Sequence, residues 1–220
     1  MKNMKNRLAA FAAALSAVIL LASAPAFSAA PGLSDPDASA RAKAATDIGN
    51  RRDKAGVPDL INIIKTEKDV NVIGAAVRAL GMLGDPRADQ PLLDLYAKQS
   101  NQSLKNIILL NIGYINDPAV VPDLIKIIDR EPAQGPRIRA VVMLSGFPAS
   151  KVTRDKLEGL ANNENEDVTV RQVAVEALTR LVDKQDPEST KALKRIQAGA
   201  RNDKFKKYTD KRMKDKGLSQ

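Results

Sequence analysis

The 220-residue chain contains no cysteine, no histidine and no tryptophan, and its aromatic side chains are three tyrosines and four phenylalanines. Without cysteine there is no disulfide framework, no thiolate nucleophile and no attachment point for a lipoprotein anchor. Without histidine the commonest general base and metal ligand are gone, and so is every Ser-His or Cys-His nucleophile pair. Carboxylates and lysines remain, but no pair of them stands out from solvated helix faces. No catalytic residue, metal or cofactor is therefore expected. The shortage of aromatics also removes the stacking platforms that hold bases, so nucleic acid is not an expected partner.

Long apolar runs are equally scarce. The one that exists, Leu8 to Leu21, follows Lys2, Lys5 and Arg7 and is followed by small residues from Ala22 to Ala29. A charged start, an apolar centre and an A-x-A or A-x-S end form the pattern of an export signal. Cleavage after Ser28, with Ala26 at the minus-three position, is the preferred reading, and cleavage after Ala26 is the other. Phe27 is too large for minus three. The rival reading is an uncleaved anchor, since the run approaches the roughly 20 residues a bilayer needs. Residues 1–28 are read as a signal peptide and 29–37 as a linker, and the mature chain is expected to be soluble in the periplasm or cell envelope. The net charge of +9 is uneven: residues 29–190 hold 21 basic and 23 acidic side chains, residues 191–220 hold 11 and 3.

What fills the chain is a repeat. Val57-Pro58-Asp59-Leu60-Ile61-Asn62-Ile63-Ile64 returns 64 positions later as Val121-Pro122-Asp123-Leu124-Ile125-Lys126-Ile127-Ile128, and Leu92-Leu93-Asp94-Leu95-Tyr96 stands midway. The period is 32, which predicts a solenoid. Five first helices align at Ala40 to Gly49, Val72 to Gly81, Leu104 to Gly113, Pro136 to Ser145 and Val170 to Thr179. Each carries one apolar stripe, for example Ala45, Val77, Leu109, Val141 and Val175 at one position and Ile48, Leu80, Ile112, Leu144 and Leu178 at another. Gly49, Gly81 and Gly113 are expected to close the first three helices through a positive-φ turn. Asp85-Pro86 and Asp117-Pro118 read as N-caps that start second helices. Second helices carry Leu60/Ile63/Ile64, Leu92/Leu95/Tyr96, Leu124/Ile127/Ile128, Leu157/Leu160 and Leu193/Ile196. The acidic stretch Asn162 to Asp167 lacks the glycine and distal glutamate of a calcium loop, and reads as a turn with Asp167 as N-cap.

The segments Val72 to Ala88 and Val170 to Leu178 resemble HEAT repeats of the short bacterial kind, also found in phycobilisome lyases. The resemblance covers about residues 38–200 and implies an all-α solenoid, or superhelix, of about five helix-turn-helix units. It also implies that Arg41, Lys105, Arg137 and Arg171, which share one repeat position with Ile73 as the exception, each meet an aspartate near the turn of a neighbouring unit. A row of ligand-facing cations is the alternative. In solenoids of this type the second helices generally line the concave side, so the expected protein-binding surface is Asn62, Asp94 and Lys126 (with Gly159 at the same position), near Asp59 and Asp123, with Tyr96 or Tyr114 as an anchor if exposed.

Residues 201–220 form a basic tail. Phe205, Tyr208 and Met213 fall on one side of a short helix, with Lys204, Lys207, Lys211, Arg212 and Lys214 around it. Two readings stand: a capping helix over the last repeat, or a grip on anionic lipid, an acidic envelope polymer or an acidic partner. The expected function is a non-catalytic protein-interaction or scaffold module, not an enzyme, holding an unidentified protein partner. The alternative is a lyase- or chaperone-like subunit that handles a tetrapyrrole or other prosthetic group. Export and the lack of cysteine and histidine weigh against that alternative.

Overall fold

The computed structural model describes residues 30–183 and 185–218. The export signal read at 1–28 lies outside them. The described residues form eleven α-helices and no strand: α1 (Ala38–Asn50), α2 (Val57–Thr66), α3 (Val70–Leu83), α4 (Asp89–Lys98), α5 (Gln102–Ile115), α6 (Val121–Arg130), α7 (Gln134–Leu144), α8 (Lys151–Asn162), α9 (Val168–Asp183), α10 (Pro187–Gly199) and α11 (Asp203–Asp215). Consecutive pairs from α1/α2 to α9/α10 make five helix-turn-helix units, and α11 closes the stack. The chain is an all-α solenoid, as the 32-residue period predicts.

Local signals set the helix starts. Asp37, Asp69, Asn101, Ser150, Asn202 and Asp186 each accept a backbone N–H from the first turn that follows, satisfying donors that a helix start leaves free. Asp167 does the same for α9, accepting from Thr169 at 2.8 Å and Val170 at 3.2 Å. Asp85-Pro86 and Asp117-Pro118 begin short 3-10 turns, Pro86–Ala88 and Pro118–Val120, and the second helices start just after them.

The predicted stripes are the core. Ala45, Val77, Leu109, Val141 and Val175 are fully buried, as are Leu80, Ile112, Leu144 and Leu178. First helices stack in chain order, α1 on α3, α3 on α5, α5 on α7 and α7 on α9, with α11 on α9. Gly49, Gly81 and Gly113 do not end their helices. They lie inside α1, α3 and α5, and the left-handed caps fall three residues later at Gly84 (φ 59°) and Asn116 (φ 61°), with Arg52 (φ 53°) at the matching place after α1. The glycines allow close approach instead. A Cβ on Gly49 would stand 2.9 Å from the Ala79 Cα, and one on Gly81 would stand 2.2 Å from the Asn111 side-chain oxygen.

Both ends of the stack are covered. The segment expected as a linker folds into a turn over residues 30–36 that seats Leu33 in the core against the first unit. At the other end α11 buries Phe205, Thr209 and Met213, and the Arg171 guanidinium lies 4.1 Å from the centre of the Phe205 ring.

Candidate interaction groove

The second-helix layer is spaced differently from the first. α2 packs on α4 and α8 on α10, whereas the backbones of α4, α6 and α8 are held apart. The closer spacing therefore lies on the first-helix side. Where α4 and α6 part, a groove of about 370 Å³ opens, lined among others by Leu93, Ala97, Ile127, Arg130 and Pro132.

Its floor is a buried polar knot. Glu131, 4% exposed at the side chain, accepts the Tyr96 hydroxyl at 2.5 Å and the Lys105 ammonium at 2.7 Å on one oxygen, and the Ala133 N–H at 3.1 Å on the other. The Lys105 ammonium also stands 4.8 Å from the centre of the Tyr96 ring. Burial works against the charged Glu131 carboxylate, but the hydrogen bonds from Lys105, Tyr96 and Ala133 outweigh it and hold its pKa below the ordinary range. Burial first, and then the Glu131 bond, push the Tyr96 hydroxyl above its usual value. Each of these three side chains on the floor is thus engaged by another.

The rim is exposed and paired along each helix. Gln90 donates to Asp94 at 2.8 Å on α4, and Lys126 to Asp123 at 2.8 Å on α6. Arg130 has no ion-pair partner among the described residues. Of the residues expected from sequence as a contact surface, Asp94, Lys126, Asp123 and Tyr96 line this groove. Asn62 lies in a separate depression beside Leu33 and Arg41. Asp59 is no surface residue: it is 8% exposed and accepts the Ala30 N–H. Tyr96 is 5% exposed and cannot be a surface anchor, because burying its hydroxyl against Glu131 is what ties the second unit to the third. Tyr114 is the exposed tyrosine, on the first-helix side.

Three of the four repeated cations meet glutamates, and those of their own unit: Arg41 with Glu67 at 2.7 Å, Lys105 with Glu131, and Arg137 with Glu166 at 2.5 Å. The expected aspartate of a neighbouring unit is replaced because the stretch that follows these second helices, Glu67, Glu131 and Glu166 in turn, is what lies over the first helix. The inter-unit bond goes to backbone instead, from Arg137 to the Ile128 carbonyl at 2.7 Å and from Arg171 to the Ala161 carbonyl at 3.0 Å. Glu67 is held down to about 2 by Arg41 and by the backbone N–H groups of Asp69 and Lys68. The second unit has Ile73 and Gln99 in place of both partners. Val57 to Glu67 and Val121 to Glu131 both end in glutamate ten residues after the valine, so this signal was present in the sequence and passed over.

Asp89, the first residue of α4, was not singled out from sequence. Its repeat equivalents are Val57 and Val121. It is 7% exposed, neither carboxylate oxygen has a hydrogen-bond partner, and burial together with the nearby Asp117 and Asp85 pushes its pKa up to about 7. In the tail, α11 spends Phe205 and Met213 on burial, and Tyr208 and Arg212 on Glu176, at 2.6 Å for each hydrogen bond. Lys204, Lys207, Lys211 and Lys214 stay exposed.

Residues 29–113 match the family model of HEAT repeats. That segment of the chain is similar to HEAT repeats. The same helix-turn-helix architecture continues past the matched segment through α10. Bilin biosynthesis protein PecE of Mastigocladus laminosus is 35% identical over 68 residues, 31% of this chain and 25% of that protein, so the match spans a quarter of the relative's length. Among solved structures, the complex of CpcE and CpcF of phycocyanin lyase from Nostoc sp. PCC7120 aligns with a TM-score of 0.42 and 21% identity over 80% of this chain and 67% of that one. Human deoxyhypusine hydroxylase in complex with glycerol aligns with a TM-score of 0.35 and 16% identity over 85% and 82% of the two chains.

Proposed function

We propose that this chain is a non-catalytic interaction module that grips a segment of a protein partner in the α4–α6 groove. The observation that carries the reading is the division of labour within the groove: its ionisable floor is satisfied internally, while apolar walls and the unpaired Arg130 face outward. Such a surface offers burial and one directed charge, which suits a partner segment with apolar residues and a carboxylate. A photo-crosslinking residue placed at Leu93 or Ile127 tests this in the native cell. A protein adduct lost on Arg130→Glu supports the reading; no adduct above background at either position sinks it.

A second reading is favoured by the likeness to the bilin biosynthesis protein. An apolar groove with Lys126 and Arg130 at its rim also fits a carboxylate-bearing tetrapyrrole. Saturable changes in the visible spectrum of a linear tetrapyrrole, abolished by Lys126→Glu with Arg130→Glu, would bring this reading forward.

The place of action in this proposal is the periplasm or envelope, on the strength of residues 1–28. Cell fractionation with mass determination of the mature chain checks it. The exposed Lys204, Lys207, Lys211 and Lys214 serve as a secondary contact to anionic lipid or envelope polymer, through charge alone because Phe205 and Met213 are buried. Anionic-liposome sedimentation unchanged on neutralising the four lysines would remove that contact.

A further inference from the structure

The side of each first helix opposite its buried stripe recurs at three repeat positions, held by Lys43, Thr46 and Asn50 in α1 and by Ile107, Leu110 and Tyr114 in α5. A helix side that faces water is normally polar. That of α1 obeys, and Lys43 pairs there with Asp47 at 3.0 Å. That of α5 carries no polar group except the Tyr114 hydroxyl. Tyr114 is 62% exposed, and Met82, its equivalent on the neighbouring α3, is 46% exposed. Between α5 and α7 a depression of about 470 Å³ runs among Leu110, Tyr114, Val142 and Met143, with Arg180 also lining it.

The free charges around this apolar patch are of one sign. Arg78 on α3 and Arg180 on α9 are exposed and Arg139 on α7 is partly exposed, and none of the three has an ion-pair partner among the described residues. The acids on this side are answered from within the chain: Asp47 by Lys43, Glu176 by Arg212, and Asp183 by Lys216. The same side continues onto α11, because Tyr208 and Arg212 reach Glu176, which stands at the position equivalent to Leu110. Lys204 and Lys211, one turn before and one after Tyr208, are exposed at that edge. With stacked helices 8–10 Å apart, the array from α3 to α11 spans roughly 35 Å. That is broader than one partner segment can cover. It matches a surface that is itself wide, anionic and apolar beneath its charges, where a tyrosine ring sits at the boundary and arginines meet phosphates.

We propose that the outer side of the first-helix layer docks on an anionic lipid bilayer: Tyr114 and Met82 insert at the headgroup boundary, and Arg78, Arg139 and Arg180 pair with lipid phosphates. The α4–α6 groove belongs to the other layer and stays open to a partner. From the tail contact above the proposal takes only Lys204 and Lys211, at its margin. The chain has no tryptophan, so Tyr114→Trp in the full chain is a reporter confined to the patch. Its emission is recorded on vesicles of phosphatidylcholine with phosphatidylglycerol and on phosphatidylcholine alone. A blue shift on the anionic vesicles only is expected, since the indole leaves water there. In that background Arg78→Gln with Arg180→Gln is expected to weaken binding about thirtyfold, and Met82→Ser about threefold. All three positions are exposed, and circular dichroism melts verify that the variants keep the fold. No shift on anionic vesicles, or an equal shift on phosphatidylcholine alone, overturns the proposal. So does binding that ignores the arginine pair but is lost on neutralising Lys204, Lys207, Lys211 and Lys214, which confines lipid contact to the tail. The reverse pattern supports the proposal and removes the tail contact. A photo-crosslinking residue at position 114 that captures a protein in the native cell, with no vesicle binding, assigns this side to a protein and overturns the lipid surface.

Discussion

The two helix layers of this solenoid are built from the same 32-residue repeat and obey different packing rules. In the first-helix layer, glycine and alanine let backbones come together: Gly49 meets Ala79, Gly81 meets Asn111 and Gly113 meets Met143. In the second-helix layer, larger side chains hold α4 and α6 apart, and a polar knot of Tyr96, Glu131 and Lys105 fills the base of the gap. The first layer thus brings its helix backbones together, while the second leaves a groove between α4 and α6.

That separation makes the knot the most sensitive point of the second layer. Glu131→Ala leaves Lys105 and Tyr96 unpartnered in a buried site and is expected to destabilise by about 3 kcal/mol, against about 1 kcal/mol for Tyr96→Phe, which keeps the Lys105 pair. Urea unfolding of both variants measures the contrast. Equal small losses would mean that the groove floor does not tie the second and third units together.

Asp89 is expected to act in the opposite direction. Its carboxyl pKa in the folded chain is raised to about 7 from an ordinary 3.8, so between those values the folded state holds a proton that the unfolded state has released. Stability therefore falls as pH rises through that window, and the loss is complete above pH 7. Asp89→Val, which copies Val57 and Val121, should raise stability by about 2 kcal/mol at pH 8 and leave it nearly unchanged below pH 4. Thermal melts across pH 4 to 8 would show a gap that opens with pH; a constant gap would indicate simple hydrophobic gain.

In the first layer the expected effects are smaller and depend on what each glycine touches. Gly49→Ala drives a methyl against the Ala79 backbone and should cost about 1–2 kcal/mol. Gly113→Ala meets only the flexible end of Met143 and recovers helix propensity, leaving it near neutral. The smallest stability effect belongs to the groove rim. Leu93→Lys with Arg130→Glu should stay within about 0.5 kcal/mol of the parent in stability while weakening partner capture at least about tenfold.

Much of this was legible from residues alone because helices announce themselves locally. The apolar stripes, the Asp and Asn caps and the 32-residue period needed no tertiary information, and the core positions Ala45, Val77, Leu109, Val141 and Val175 follow from spacing. The glycines were misread as helix ends because a glycine that permits a turn and one that permits close approach look the same in sequence. Asp59 and Asp123 hold the same repeat position, yet one is sealed under the N-terminal turn and the other pairs with Lys126 at the groove rim. Periodicity ranks them alike.

The sequence by itself determined the fold class, the number of units and the exclusion of histidine and cysteine chemistry, since these depend on composition and on side chains a few residues apart. Only the tertiary structure decided where α4 and α6 part, that Glu131 joins Tyr96 to Lys105, that Asp89 is stranded and that Asp59 faces Ala30. Those outcomes depend on distances between residues 26 to 35 positions apart, or on the packing of one unit against the next. A repeat pattern says which residues are equivalent, and equivalence is what packing at each junction breaks.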